Sequence, residues 1–187
     1  MMRLVRRLRR LRRDDAGAIF VEMAFILPVL ILMLTGGAEV ARYVLLNQRL
    51  DRVASTMADL VSQSDDTLTA AQVDDLFDAV EEVAKPFTLA ATGRVILSSV
   101  TGQSGGTSLV NWQRTTGSLT GAASKVGSPN NTATLPTGFA LVDGDTAIIA
   151  EVYFDYTPLI FGGVMADRRV YHSAFYRPRF GALSQLN

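Results

Sequence analysis

Hydrophobic residues follow three different patterns along this 187-residue chain. From Ala18 to Leu34 they form a nearly unbroken run in which Glu22 is the only charge. With Thr35 to Ala38 appended, the stretch reaches 21 residues. At ~1.5 Å per residue that is about 30 Å of helix, enough to cross the hydrocarbon core of a bilayer. Pro28 removes one backbone hydrogen bond from the run, a loss that a membrane helix tolerates better than a soluble one. Beyond it, Tyr43, Leu46, Leu50, Val53, Met57 and Leu60 recur at spacings of 3, 4, 3, 4 and 3, while Arg42, Arg49, Arg52 and Asp59 fall off that seam. The pattern predicts one helix from Ala18 to about Ser62, its first half in lipid and its second half packed on the chain's own sheet. Contact of the same seam with neighbouring subunits is compatible with that packing.

After a polar break at Ser62–Thr69, Thr69-Ala-Ala-Gln72 reads as a capping box. Val73, Leu76, Phe77, Val80 and Val83 mark one face of a second helix, ended by Pro86. Asp74, Asp75, Asp78, Glu81 and Glu82 fill the opposite face and read as solvated, because they lack the alternating-oxygen loop and glycine of a calcium hand. The period then changes to two. Arg94–Val100, Leu109–Arg114, Thr146–Tyr156 and Arg169–Tyr176 read as strands. In the third, Val152, Phe154 and Tyr156 alternate with Glu151, Tyr153 and Asp155, which predicts one buried face. Gly117–Thr137 reads as a long exposed loop, and the residues after Arg179 as a loose tail. Helices first and strands later imply an α+β fold: a long N-terminal helix, a second helix, then a small antiparallel sheet of about four strands.

Charge changes this picture at one end. The first thirteen residues carry seven of the eighteen basic side chains and no acid, whereas eleven basic and sixteen acidic residues lie beyond Gly17. A basic head before an apolar run is what the positive-inside rule expects of a cytoplasmic tail. The acidic body leaves no basic patch for nucleic acid. Arg12-Arg13 is followed by Asp14 and Asp15, without the apolar residues of a twin-arginine signal.

Candidate chemistry is sparse. The absence of cysteine removes disulfides, thiolate zinc sites and cysteine nucleophiles. The single histidine, His172, argues against a histidine metal site. His172 and Ser173 are strand neighbours whose side chains point to opposite faces, so with Asp155 they make a poor triad. The glycine-rich TGQSGGTS lacks the lysine and following helix of a phosphate loop. Asn130-Asn131-Thr132 fits a glycosylation pattern that is common by chance. No catalytic residue, cofactor, metal or small-molecule substrate is expected.

Glu22 is the residue that asks for an explanation. An ionised carboxylate in the hydrocarbon core costs about 2.5–3.5 kcal/mol on insertion scales. At about 7 Å from the cytoplasmic boundary its side chain has room to snorkel to the interface. The functional alternative is a positive partner at the same depth. A cut after Gly17 supplies one, because the new ammonium of Ala18 in one subunit meets Glu22 of its neighbour.

Gly17-Ala-Ile-Phe-Val-Glu22, after a basic leader and before an apolar helix, resembles a type IV prepilin cleavage site. The wider run RRDDAGAIFVEMAFILPVLILMLTGGAEVARYVLLNQRLDRVASTMADL resembles the TadE/TadG-like family of pilus assembly proteins. GRVILSSV, LVNWQR, AEVYFDYTPL and the closing YRPR are also similar to small α/β members of that family. The resemblance implies that a prepilin peptidase cuts between Gly17 and Ala18 and that Glu22 serves recognition or assembly. Met23 stands where a phenylalanine is common. No large adhesion-type insert is present, which favours TadE over TadG.

The resulting expectation is a minor pilin or pseudopilin of a tight-adherence (Flp-type) pilus, without catalysis. Residues 1–17 form a cytoplasmic leader, 18–38 the transmembrane helix, 39–62 its amphipathic continuation and 63–187 a periplasmic α+β domain. Its partners are the inner membrane, the prepilin peptidase, and other pilin or TadE-like subunits with their assembly machinery. Two alternatives stand beside it: an uncut single-pass periplasmic interaction protein, and a protein released near Gly37.

Overall fold

The computed structural model describes residues 16–65, 68–160, 162 and 166–187. The basic leader, through residue 15, therefore lies outside the described residues. Helix α1 spans Ala16–Ser62, 47 residues with Pro28 inside, or about 70 Å from end to end. It runs without interruption from the apolar stretch into the amphipathic one, as the continuous periodicity predicts.

Helix α2 spans Ala70–Ala84, and its start carries the capping box read from the sequence. The Gln72 backbone N–H donates to Thr69 Oγ1 (3.3 Å), and the Thr69 N–H donates to Gln72 Oε1 (2.8 Å). Each satisfies a helix-end donor that would otherwise lack a partner. Val73, Phe77, Val80 and Ala84 are buried, with Leu76 and Val83 packed at the margin. On the outer face, Asp74 is paired with Arg114. A single helical turn, α3 (Leu89–Thr92), leads into the sheet.

Four strands make one antiparallel sheet in the order β2-β1-β3-β4, with β1 at Gly93–Gly102, β2 at Ser108–Thr116, β3 at Thr146–Tyr156 and β4 at Arg168–Tyr176. The second half of α1 and α2 cover one face. There Leu46, Leu50, Val53, Met57 and Val73 meet Leu97, Ile148, Val152 and Tyr156 in the main core.

The other face is covered as well, which the strand pattern did not predict. Glu151 and Tyr153, assigned to an open face by alternation, are 0 % and 5 % exposed. The segment after β2 folds back across them, burying Ala122, Val126 and Leu141 in two smaller clusters with Ile96, Val100, Val110 and Ile149. Its glycines and serines look like those of an exposed loop, yet a few well-placed apolar residues turn it into a lid on the sheet. Gly117 starts the reversal with φ of +96°, and a Cβ there would lie 2.4 Å from the Gly93 carbonyl oxygen.

The C-terminal tail is not loose. Leu183 is fully buried, and its carbonyl accepts hydrogen bonds from Ser99 Oγ and Trp112 Nε1, both at 2.8 Å. The backbones of Leu68, Ala70 and Asn187 then pair. Arg179 joins the tail to the end of α1, its N–H donating to the Ser62 carbonyl (2.7 Å) and its guanidinium to Asp59 (2.7 Å).

Candidate functional site

Gly17 and Ala18 lie in the first turns of α1, and from Gly17 to Leu34 every residue is exposed. The most apolar window of this helix has a mean hydropathy of 2.5 and none of it is buried. A Cβ added at Gly17 would meet nothing within 4 Å. Helical glycine costs about 1 kcal/mol relative to alanine, and no packing among the described residues recovers that cost.

Glu22 lies on the same free stretch, exposed. It has no hydrogen bond or ion pair among the described residues. Gly17, Ala18 and Glu22 thus sit together at one end of α1. The seam residues lie further along: Leu46, Leu50, Val53 and Met57 are fully buried, while Tyr43 and Leu60 are half-buried at its two ends. Ala54, Ala58 and Val61 are buried beside them. The buried surface is therefore the broad stripe of a helix lying on a sheet and a second helix rather than a narrow coiled-coil seam.

A second acid of α1 has the opposite environment. Glu39, absent from the candidates read from the sequence, is only 4 % exposed although it lies one residue past the apolar stretch. The Tyr156 hydroxyl donates a hydrogen bond to its Oε1, and the backbone N–H groups of Leu159 and Ile160 donate to Oε2 at 3.1 and 3.0 Å. One carboxylate therefore joins α1 to the end of β3 and to the turn beyond it. Arg42 reinforces the joint, lying 5.6 and 5.4 Å over the rings of Phe87 and Tyr156 and donating to the Thr157 carbonyl (3.4 Å). Tyr43 packs edge-on against Tyr156 with ring centroids 5.2 Å apart. A sequence signal existed: Glu39, Tyr43 and Leu46 continue the seam's spacing backwards, and a carboxylate at a seam position demands partners.

Further along α1, Asn47 Oδ1 meets His172 Nε2 at 3.1 Å, and Asp51 lies 3.8 Å from the other ring nitrogen. Asp155 is instead bound by Arg169 (2.7 Å), whose two charge-assisted bonds hold its carboxyl below the usual range. His172 and Asp155 are thus committed to separate partners.

Glu151 is a third acid with a positioning role. Fully buried on the lid face, it accepts from Ser124 Oγ, the Lys125 N–H (2.9 Å) and the Tyr171 hydroxyl (3.0 Å). Tyr153 donates to the Ala123 carbonyl (2.8 Å). Burial, with the Glu151 charge added, pushes the Tyr153 phenol up to about 12 and raises that of Tyr171 as well.

The fold and these contacts define a small α+β domain built on the second half of an apolar helix that is long enough to cross a membrane. The family model described as TadE-like protein matches residues 17–59, so this part of the chain is similar to TadE-like proteins. The match begins at Gly17 and ends within the buried stripe of α1. No curated protein and no solved structure matches the chain.

Proposed function

We propose that this protein is a minor pilin or pseudopilin that acts in the assembly or initiation of a tight-adherence type IV pilus. It is anchored in the inner membrane by residues 18–38, with its leader cytoplasmic and its α+β domain periplasmic. A prepilin peptidase cuts after Gly17, and Glu22 then pairs with the Ala18 ammonium of an adjoining subunit. The observation that carries this reading is the TadE-like match beginning at Gly17, on a helix whose first half packs on nothing among the described residues.

Two local features support it. Among the described residues nothing crowds Gly17 enough to require glycine, whereas a peptidase that must approach the backbone closely gives it a reason. Glu22 has no intramolecular partner among the described residues, although ionised carboxylates in apolar helices are costly unless paired. Release near Gly37 fits poorly, because α1 continues through Gly37 directly into Glu39 and the buried stripe.

Deleting the gene tests the role. Loss of surface pili, with recovery when the chain is supplied from a plasmid, is expected. A deletion strain that remains fully piliated would overturn the proposal.

A further inference from the structure

We propose that the turn after β3 is a second membrane contact, with Leu159 and Ile160 seated in the outer interface of the bilayer that α1 crosses. The inference rests on the membrane-anchored reading above and adds a specific lipid-facing surface to it.

Depth is the first argument. The apolar stretch from Ala18 to Ala38 is about as long as a hydrocarbon core is thick, which puts Glu39 at the far interface. Leu159 and Ile160 are fixed at that height, because both of their backbone N–H groups donate to the Glu39 carboxylate.

Exposure is the second. Leu159 and Ile160 are 72 % and 52 % exposed and adjacent to each other, whereas the other large hydrophobics exposed in the domain, Val142 and Phe180, are isolated from them in sequence. The sequence from Thr157 to Ala166 contains no charged residue. Apolar side chains beside the end of an apolar helix continue the surface that the helix offers to lipid.

Backbone satisfaction is the third. Polar main-chain groups enter an apolar layer only when they have partners. The Glu39 carboxylate supplies them for two consecutive N–H groups, while Tyr156 and Arg42 complete the joint from the protein side. Arg168 is exposed beside the joint, 6.0 Å over the Tyr43 ring and without an ion pair among the described residues, which places a cation at headgroup depth.

The absence of cysteine in the natural chain makes the test clean. Single Leu159→Cys, Ile160→Cys, Leu30→Cys and Ser104→Cys variants of the full chain, each carrying an environment-sensitive fluorophore, are reconstituted into phosphatidylethanolamine–phosphatidylglycerol vesicles with and without lipid-attached quenchers. Strong quenching is expected at Leu30, Leu159 and Ile160, and none at Ser104, which lies in the β1–β2 turn at the opposite end of the sheet. Quenching at Leu30 but not at Leu159 or Ile160 overturns the second contact and leaves the span intact. No quenching at Leu30 overturns the span itself. If the label at Leu159 is shielded only when excess unlabelled protein is present, and lipid quenchers have no effect, another copy of the chain occupies the surface and the lipid assignment is wrong.

Discussion

Glu39 accepts a hydrogen bond from Tyr156 across 117 residues of sequence. That bond ties the helix that carries the apolar stretch to the end of the longest strand of the sheet. The joint lies where the free half of α1 meets the domain, so movement of the domain about the helix must first break it. Its three donors are the Tyr156 hydroxyl and the Leu159 and Ile160 N–H groups; alanine at position 39 leaves all three without this acceptor, and glutamine replaces one charged acceptor oxygen by an amide group that only donates. Glu39→Ala and Glu39→Gln are both expected to lower the thermal midpoint of the domain. Tyr156→Phe should cost about 1.5–3 kcal/mol, the range for a hydrogen bond to a charged group. Denaturant titration followed by Trp112 fluorescence checks both. Unchanged midpoints would show that the joint is incidental.

The buried stripe of α1 gives a larger effect. Leu50 is fully buried against the sheet, and Leu50→Asp forces an unpaired carboxylate into that core. Loss of more than about 4 kcal/mol is expected, the range reserved for core disruption, whereas Leu50→Ala should cost about 2–5 kcal/mol. Circular dichroism melts of both variants decide the matter, and a Leu50→Asp domain that melts like the parent would remove the stripe from the account.

Leu183 gives the tail its weight. Its side chain fills the core and its carbonyl holds Trp112. Leu183→Ala should destabilise the domain by about 2–5 kcal/mol and shift the emission of Trp112, the only tryptophan in the sequence, to the red as water reaches the indole. An unchanged spectrum would mean that the tail does not seal this end of the sheet.

High pH should open the lid face first. The Tyr153 phenol titrates at about 12 in the folded protein against 10.0 ordinarily, and that of Tyr171 is also raised. Their contribution to stability is therefore complete below pH 10 and is lost as pH rises through the folded values, because the unfolded chain releases these protons first. Tyrosinate absorbance should appear later in the folded protein than in the denatured one, and Tyr153→Phe should flatten the decline in stability above pH 10. A decline unaltered by that change would place its origin elsewhere.

The parts that were legible in the sequence are those in which one physical rule acts alone. The run from Ala18 to Leu34 and the Thr69–Gln72 capping box depend on local spacing and each corresponds to an observed element, whereas the alternation in Thr146–Tyr156 places the strand but not the burial of its second face. The missed features depend on residues far apart in the chain. Nothing near Glu151 or Tyr153 announces that Ser124 and Ala123 will cover them, and nothing near Leu183 announces Trp112. Glu39 is intermediate. Its place follows the seam's spacing, but its partners, Tyr156 and the turn after it, lie more than a hundred residues away in the chain.

Glu22 separates assembly from folding. It is exposed without an intramolecular partner among the described residues, so Glu22→Ala should leave the domain's unfolding transition within about 0.5 kcal/mol of the parent while abolishing pilus assembly. Pili of normal number and length in that strain would end the ammonium–carboxylate pairing.

The most direct test of the central claim is the N-terminal residue of the protein isolated from the membranes of piliated cells. Processing as a pilin predicts Ala18, with Gly17→Leu blocking the cut and leaving the leader attached. Recovery of the chain beginning at Met1 in cells with an active prepilin peptidase, or beginning near Ala38, would contradict it.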